Sequence, residues 1–189
     1  MLFLVRHGQT APNAAGLLLG RADPPLTELG RRQARAIADA LPAPSRIVSS
    51  PLTRARDTAA AFGQAIEIDE RWVEMDYGEL DGQPVGSVTA ELWSQWRTDP
   101  GFAPSGGESL AAVGDRVRNA CAEIAESADG RGVVVVSHVS PIKAAIAWAL
   151  GVTDAVAWRM FVVDAAVARL DIGPPVPRLM SFNEVFPCR

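Results

Sequence analysis

The chain contains only two histidines, and both are placed where an imidazole could do chemistry. His7 comes directly after Arg6 at the end of the apolar run LFLV, and His138 follows the run VVVVS. A neutral imidazole is a covalent nucleophile, and the pKa of histidine leaves it unprotonated near neutral pH. Arginine presents a planar fork of N–H donors that matches the oxygens of a phosphate. This combination suggests in-line attack on phosphorus, with guanidinium groups binding the equatorial oxygens.

Two predicted helix starts would add further donors for an anion. Ser50 and Ser140 are N-cap residue types that follow predicted strands, and each precedes a proline at the expected first helical position. The free N–H groups and partial positive charge of a helix N-terminus favour a bound anion. Arg54 falls in the first turn of the first of these helices, so it could reach an anion at that end.

The alkoxide that leaves phosphorus needs a proton, which a carboxylic acid with a raised pKa can supply. The segment VEMDYGELDG contains four candidates: Glu74, Asp76, Glu79 and Asp81. Acidic residues in a turn are most often solvated, and the chemistry alone does not choose among the four.

These residues must be held by an alternation of strands and helices. Apolar runs predict strands at Leu2–Arg6, 46–50, 66–68 and 133–136, and near 158–163, 165–172 and 178–183, with turns at Asp164 and 173–175. Helical spacing predicts helices that begin at Thr27, at Pro51, near Leu92, after Ser109 and at Pro141, the last ending near Gly151. The order predicts an α/β three-layer sandwich with a mostly parallel central sheet flanked by helices. Ligands bind outside the carboxyl ends of such strands, where His7 and His138 both fall, so we expect one shared site.

Composition excludes several classes of protein. With 189 residues, 48% hydrophobic and 21% charged, the chain suits one folded domain, residues 1–189, and no apolar run approaches the roughly 20 residues of a membrane span. A net charge of −4 and a pI of about 5.2 argue against nucleic-acid binding. No secretory leader is evident, and Cys121 and Cys188 form no CxxC pair, so we expect reduced thiols in a cytoplasmic protein.

Other enzyme classes lack their motifs. No GxGxxG follows a predicted strand, which argues against a dinucleotide site, and no GxxxxGK[ST] is present for a P-loop. Two histidines without HxxxH spacing or obvious acidic partners argue against a metal hydrolase.

Ordered segments of the first 150 residues resemble the histidine phosphatase superfamily, in its phosphoglycerate mutase-like branch. The first two matches are RHGQTAPN (6–13), which resembles RHG-[EQ]-T-x-x-N, and DPPLTELGRRQA (23–34), which resembles PLTxxGxxQA. The next two are SSPLTRARDTA (49–59), which resembles SxLxRAxxTA, and EMDYGELDG (74–82), which matches ExxxGxxxG. The series ends with GGES (106–109) and VVVVSH (133–138). The resemblance implies a phosphoglycerate mutase-like fold.

The resemblance also implies a role for each matching residue. His7 would be the nucleophile that becomes phosphorylated. Glu74 would donate a proton to the leaving group and then activate water, with Asp76 as the second candidate for this acid. Four residues would bind the phosphoryl oxygens: Arg6, Asn13, Arg54 and His138. No metal or organic cofactor is expected.

Two features bear on the reaction. Family members commonly have glycine after the second histidine, where this chain has Val139, whose side chain could narrow the pocket and change which substrates fit. The familiar mutases are longer, with an insertion after the acid, whereas only about 25 residues separate Gly82 from the GGES segment. We therefore expect a short cap around residues 83–105. We favour a metal-independent phosphomonoesterase, a phosphoric monoester hydrolase, over a mutase-type phosphoryl transfer or a non-catalytic phospho-ligand binding protein.

Three further residues have two interpretations each. Trp93 and Trp96 could contact the substrate from the cap, or they could be core residues of an amphipathic helix. Arg21 could meet a second substrate anion, although a surface position is expected for it. Beyond a small phosphorylated metabolite, the sequence names no substrate, and it leaves the oligomeric state open.

Overall fold

A computed structural model describes residues 1–127, 130–173 and 175–188. Its strands are β1 (Leu2–Arg6), β2 (Arg46–Ser49), β3 (Glu67–Ile68), β4 (Val133–Ser137), β5 (Val167–Asp171) and β6 (Arg178–Glu184). Its α-helices are α1 (Ala11–Ala14), α2 (Glu28–Ala40), α3 (Thr53–Ala60), α4 (Ala90–Thr98), α5 (Leu110–Glu126) and α6 (Val139–Leu150). Short 3₁₀ helices cover Glu70–Trp72, Gly78–Leu80, Val85–Ser87 and Asp154–Arg159. Within the described ranges, no helix is both long enough and apolar enough to cross a membrane.

The strands form one sheet in the order β3-β2-β4-β1-β5-β6. β3, β2, β4 and β1 are parallel to one another, and β5 is antiparallel to both β1 and β6. The central pair, β1 and β4, is aligned so that Arg6 lies opposite Ser137. The next residues along the two strands are His7 and His138, so the register itself brings the imidazoles together at the carboxyl edge of the sheet.

Helices cover both faces of the sheet. Alternate residues of each strand point to opposite faces, and both sets are apolar in β1, so each face needs a helical layer to bury it. Leu2 and Leu4 of β1 pack with α5, α6 and the buried Trp96 of α4. Phe3 and Val5 pack with Ile37 of α2 and with the alanines of α3. Strand β4 is buried at all five positions, as expected for a strand between two helical layers. The predicted three-layer α/β fold with a mostly parallel sheet is therefore confirmed.

The helix starts differ from the prediction at two places. α3 begins at Thr53 with Leu52 as its N-cap and no capping side chain, and the hydroxyl of Ser50 lies 2.7 Å from the imidazole of His138 and accepts a 3.4 Å hydrogen bond from the Leu52 N–H. α6 begins directly after its N-cap residue His138, so Ser140 lies inside the first turn. In both cases long-range contacts replace the local cap that the sequence suggested.

The predictions for the C-terminal forty residues are correct in two of three strands. Residues 165–172 and 178–183 correspond to β5 and β6. The strand predicted near 158–163 is wrong, because Trp158 belongs to the 3₁₀ helix Asp154–Arg159 and packs against Trp93 and Trp96. The turn predicted at 173–175 includes Pro174, which lies outside the described residues.

Candidate active site

The loop that carries His7 is packed tightly against α2. A methyl group at Gly8 would overlap the carbonyl of Gly30, and a methyl group at Gly30 would overlap the carbonyl of Gln9. The side chain of Gln33 accepts a hydrogen bond from the Gln9 N–H at 2.9 Å. Contacts between two of the motif segments therefore hold the end of β1 against α2, and glycine is required at both positions because the backbones touch.

His7 is 3% exposed and held in one orientation by its own neighbour. Its Nδ1 lies 2.7 Å from the carbonyl oxygen of Gly8, and a carbonyl can only accept, so Nδ1 carries the proton. Nε2 is then the basic nitrogen, and it accepts a hydrogen bond from Nε of Arg54 at 3.2 Å. Burial, followed by the charges of Arg54 and Arg6, holds the pKa of His7 well below its usual range. The imidazole is therefore neutral, with its lone pair on Nε2.

Arg54 is completely buried and its guanidinium is fixed by backbone carbonyls. Its two terminal nitrogens donate to the carbonyl of Ala22 at 2.6 Å and of Gly20 at 2.8 Å. The loop that presents these carbonyls is held by Asp81, whose carboxylate accepts hydrogen bonds from the N–H groups of residues 20, 21 and 22 at 2.8–2.9 Å. Asp81 thus has a structural task, since it shapes the loop that orients Arg54.

His138 lies beside His7, with 5.0 Å between the ring centroids and 60° between the ring planes. Its Nε2 is 2.7 Å from the hydroxyl of Ser50. Its Nδ1 is buried and has no hydrogen-bond partner among the described residues. Burial is the main cause that lowers the pKa of His138, and the positive charges of nearby arginines act in the same direction. A buried ring nitrogen without a partner is a place where a ligand atom would be stabilised.

Arg6 is anchored by the segment that precedes β5. One terminal nitrogen donates to the carbonyl of Val162 at 2.6 Å, and the other pairs with the carboxylate of Asp164 at 2.7 Å. Its Nε is buried without a hydrogen-bond partner in the described chain. The guanidinium is therefore rigid and keeps one N–H donor unused.

Asn13 is oriented by the helix cap that it helps to form. Its Oδ1 accepts hydrogen bonds from the N–H and hydroxyl of Thr10, at 3.2 and 2.7 Å. The amide oxygen is thereby committed to the capping box of α1, and the Asn13 side chain lines the same cavity as Arg6 and His7.

Glu74 is 3% exposed and caps α6 from a distant part of the chain. Its carboxylate accepts hydrogen bonds from Val139 N–H at 3.0 Å, Ser140 N–H at 3.1 Å and Met75 N–H at 2.7 Å. The carboxylate is therefore fixed at the N-terminus of the helix that follows His138. The N–H of Val139 is thus occupied by Glu74.

The other three acids of this segment lie elsewhere. Asp76 accepts a hydrogen bond from Gly78 N–H at 2.8 Å and does not line the cavity, Asp81 shapes the loop at Arg54, and Glu79 is exposed. Of the four candidates that sequence reasoning left open, the structure brings only Glu74 to the cavity of His7.

The cavity at His7 has a volume of about 490 Å³. Its polar surface is formed by Arg6, His7, Asn13, Glu74, Tyr77, Arg97 and Lys143. Its apolar surface is formed by Leu17, Leu18, Leu19, Val85, Trp93, Val139, Trp158, Phe161 and Val162. Arg54 and His138 are buried next to His7 and do not contribute to this surface. The cavity can therefore take a phosphoryl group at one end and a partly apolar leaving group at the other.

The structure shows which of the remaining candidate residues line the cavity. Trp93 lines the cavity, whereas Trp96 is 1% exposed and belongs to the core. Arg21 lies 3.5 Å from the carboxylate of Glu108 and does not line the cavity, in agreement with its expected surface position. The side chain of Val139 does stand in the cavity wall.

Sequence reasoning missed three residues that hold the site. Ser50 contacts His138, Asp164 pairs with Arg6, and Thr58 accepts a hydrogen bond from Gly8 N–H at 3.0 Å. Thr58 stands in the motif segment RARDTA and could have been found there. Asp164 is 158 positions from Arg6, and no local pattern links the two.

The fold and the site define a class of protein with a buried neutral histidine at the carboxyl edge of an α/β sheet, next to arginines and a carboxylate. The sequence profile of the histidine phosphatase superfamily (branch 1) matches residues 2–185. The chain belongs to this family.

Relatives and solved structures agree with this assignment. The chain is 33% identical over 182 residues to a probable phosphoglycerate mutase GpmB of Yersinia enterocolitica, which covers 90% of this chain and 84% of the relative. The structure of mycobacterial glucosyl-3-phosphoglycerate phosphatase Rv2419c, solved with VO3, superposes with a TM-score of 0.87 at 34% identity, covering 96% of this chain and 98% of the other. The bifunctional protein Rv2228c of Mycobacterium tuberculosis is 38% identical over 159 residues, and the chain spans only 44% of its length.

Proposed function

We propose that the protein is a phosphomonoesterase that hydrolyses a small phosphorylated metabolite through a phosphohistidine on His7. The observation that carries the proposal is the hydrogen bond from Nδ1 to the Gly8 carbonyl, which leaves a neutral Nε2 beside Arg54. The solved phosphatase of similar fold supports the same reaction class. The chemistry needs only side chains, and we propose no metal or organic cofactor.

In the first step, Nε2 of His7 attacks phosphorus in line with the ester oxygen. The N–P bond forms as the P–O bond breaks, and Glu74 as a carboxylic acid gives its proton to the leaving oxygen. Once Nε2 bonds to phosphorus it no longer accepts the Nε–H of Arg54, which then donates to a phosphoryl oxygen beside the ring. Arg6 and His138 each have a buried nitrogen without a partner in the described chain, and Asn13 lines the same cavity, so these groups are the further phosphate ligands.

In the second step, the carboxylate of Glu74 takes a proton from water as the water oxygen attacks phosphorus. The N–P bond breaks, inorganic phosphate leaves, and both Glu74 and neutral His7 are restored. Three backbone N–H groups hold the carboxyl group of Glu74 at the cavity, in position for both proton transfers.

We also propose that residues 83–105 act as a short cap over the leaving group. Val85, Trp93 and Arg97 of this segment line the cavity. The side chain of Val139 narrows the same wall and would favour slim leaving groups.

A mutase-type phosphoryl transfer is the second candidate, because one relative is named a probable phosphoglycerate mutase. It would share the first step and differ in the acceptor, which would be a second ester hydroxyl in place of water. Release of inorganic phosphate from a phosphate ester, without formation of an isomeric ester, separates the two reactions.

For location, we propose the cytoplasm. The support is chemical: Cys121 and Cys188 are both free thiols, and Cys121 is buried in the main core.

The first test compares the protein with His7→Ala on a panel of phosphate esters, without added metal. Removal of a covalent nucleophile should lower the rate of phosphate release by at least about a thousand-fold. Rapid quenching with a ³²P-labelled ester should trap a phosphoenzyme that is labile in acid and stable in alkali, and the variant should trap none. Full activity of His7→Ala would overturn the mechanism.

A further inference from the structure

The chain has a single lysine, and it lines the cavity of the proposed active site. Lys143 lies on α6 four residues after Val139, and residues at this spacing share one helix face. Glu74 accepts hydrogen bonds from the first N–H groups of the same helix. The Cα atom of Lys143 therefore lies about one turn, or about 6 Å along the axis, beyond that of Val139, whose N–H contacts the proposed acid.

Lys143 has no hydrogen bond or ion pair in the described chain, although it is half-buried. Burial is the main cause that lowers the pKa of its ammonium group, while the charge of Glu74 acts in the opposite direction. A cation kept in a partly apolar wall without a partner costs free energy that a bound anion would recover.

The charge and polarity of the side chains around Lys143 indicate which kind of ligand would fit. Arg97, from the segment 83–105, stands over the ring of Trp93 at 5.4 Å and lines the same cavity. Trp158 meets Trp93 edge to face, with 5.9 Å between the rings, and forms another apolar wall. Glu74 is the only carboxylate among the residues that line this cavity. This end of the cavity is thus apolar in its walls and positive in its charge.

The positions of His7 and Glu74 in the proposed reaction decide which portion of a substrate meets Lys143. The phosphoryl group lies at His7, and the ester oxygen must lie between His7 and Glu74. The rest of the leaving group then extends beyond Glu74, which is toward Lys143 and Arg97.

We propose that Lys143 is a specificity-determining residue that binds a second anion on the leaving group of the substrate. This inference rests on the proposed phosphatase activity. The anion is a carboxylate or a second phosphate, since either would pair with an ammonium group. Arg97 supplies the second positive charge.

The test uses pairs of esters that differ only in this anion. 3-Phosphoglycerate is compared with glycerol 3-phosphate, in which a hydroxymethyl group replaces the carboxylate. Propanediol bisphosphate is compared with propanediol monophosphate, which tests the second phosphate. The protein should favour at least one anionic ester by about ten-fold or more in kcat/KM, as expected for a hydrogen bond to a charged group.

Lys143→Met should remove this preference and leave the rates with the two esters that lack the second anion within about three-fold of the original. Lys143→Arg should restore part of it. Arg35→Met, on the exposed face of α2, removes the same charge away from the cavity and should keep the preference.

The outcomes separate the two proposals. If the unaltered protein releases phosphate from no ester, the proposed function fails. If it hydrolyses both members of each pair equally well, or if Lys143→Met lowers the rates with both members of each pair by the same factor, the subsite is wrong and the activity stands.

Discussion

At the scale of single residues, the site depends on which nitrogen or oxygen is already committed. The proton of His7 is held on Nδ1 by a carbonyl, so Nε2 is the only ring atom free to react. The oxygen of Asn13 is committed to Thr10, and both oxygens of Glu74 accept backbone N–H groups. Each of these three side chains is thus fixed by ordinary structural hydrogen bonds, which would preorganise the proposed site.

Glu74→Gln tests the acid at this scale. The rate with an alkyl phosphate should fall by about a hundred-fold or more, because an alkoxide needs a proton to leave. The rate with nitrophenyl phosphate should fall much less, since nitrophenolate leaves without one. The measurement is the ratio of kcat values for the two esters, which does not depend on the folded fraction.

Asp76→Asn is the matched control for this prediction. Asp76 bonds to Gly78 N–H and does not line the cavity, so its loss should leave the ratio of the two rates unchanged. A changed ratio in Asp76→Asn together with an unchanged ratio in Glu74→Gln would assign the acid role to Asp76.

At the scale of elements, close backbone contacts position the motif segments. Gly8 at the end of β1 and Gly30 in α2 allow the loop and the helix to touch. Gly78 has a φ of +53°, and a methyl group there would overlap the carbonyl of Ser105, so the segment of Glu74 is held against the GGES segment in the same way. These glycines carry no chemistry, and they set the distances at which the chemistry occurs.

Gly30→Ala tests this close contact. A methyl group at this position would overlap the Gln9 carbonyl and lie 2.9 Å from its N–H nitrogen, so the loop or the helix must shift. We expect a loss of about 2 kcal/mol in the free energy of unfolding, measured by chemical denaturation.

Gly86→Ala serves as the comparison, because a methyl group there would meet no atom within 4 Å. Its stability should stay within about 0.5 kcal/mol of the original protein. Equal stability of the two variants would show that the close contact of Gly30 with the loop after β1 does not limit the stability of the fold.

At the scale of the whole molecule, the protein keeps its two imidazoles buried and neutral. The pKa values of His7 and His138 are both lowered well below the ordinary value, mainly by burial. In the unfolded chain both would bind a proton below about pH 6.5, whereas the folded protein binds none until its own lower values are reached. Acid therefore opposes folding. The two neutral imidazoles cost no stability above about pH 6.5, and the free energy of unfolding falls as the pH drops from there toward the lower native pKa values.

The pH dependence of stability tests this account. Between about pH 6.5 and the lowered native pKa values, each imidazole should remove about 1.4 kcal/mol of unfolding free energy per pH unit. His7→Asn should reduce the slope by that amount, because one titrating group is gone and the contributions of the carboxylates cancel in the comparison. Identical slopes for the two proteins from pH 6.5 to 5.5 would contradict a neutral buried His7.

The sequence by itself determined the fold class, the strand ends at His7 and His138, and the motif segments that contain Arg54 and Glu74. These features follow from local periodicity, composition and short patterns. Only the tertiary structure decided that Glu74 caps α6, that Asp164 pairs with Arg6, that Asp81 shapes the loop around Arg54, and that Ser50 and Ser140 are not helix caps. Partners of this kind are brought together by strand register and helix packing across 60 or more positions of the chain, and a local pattern does not encode such distances.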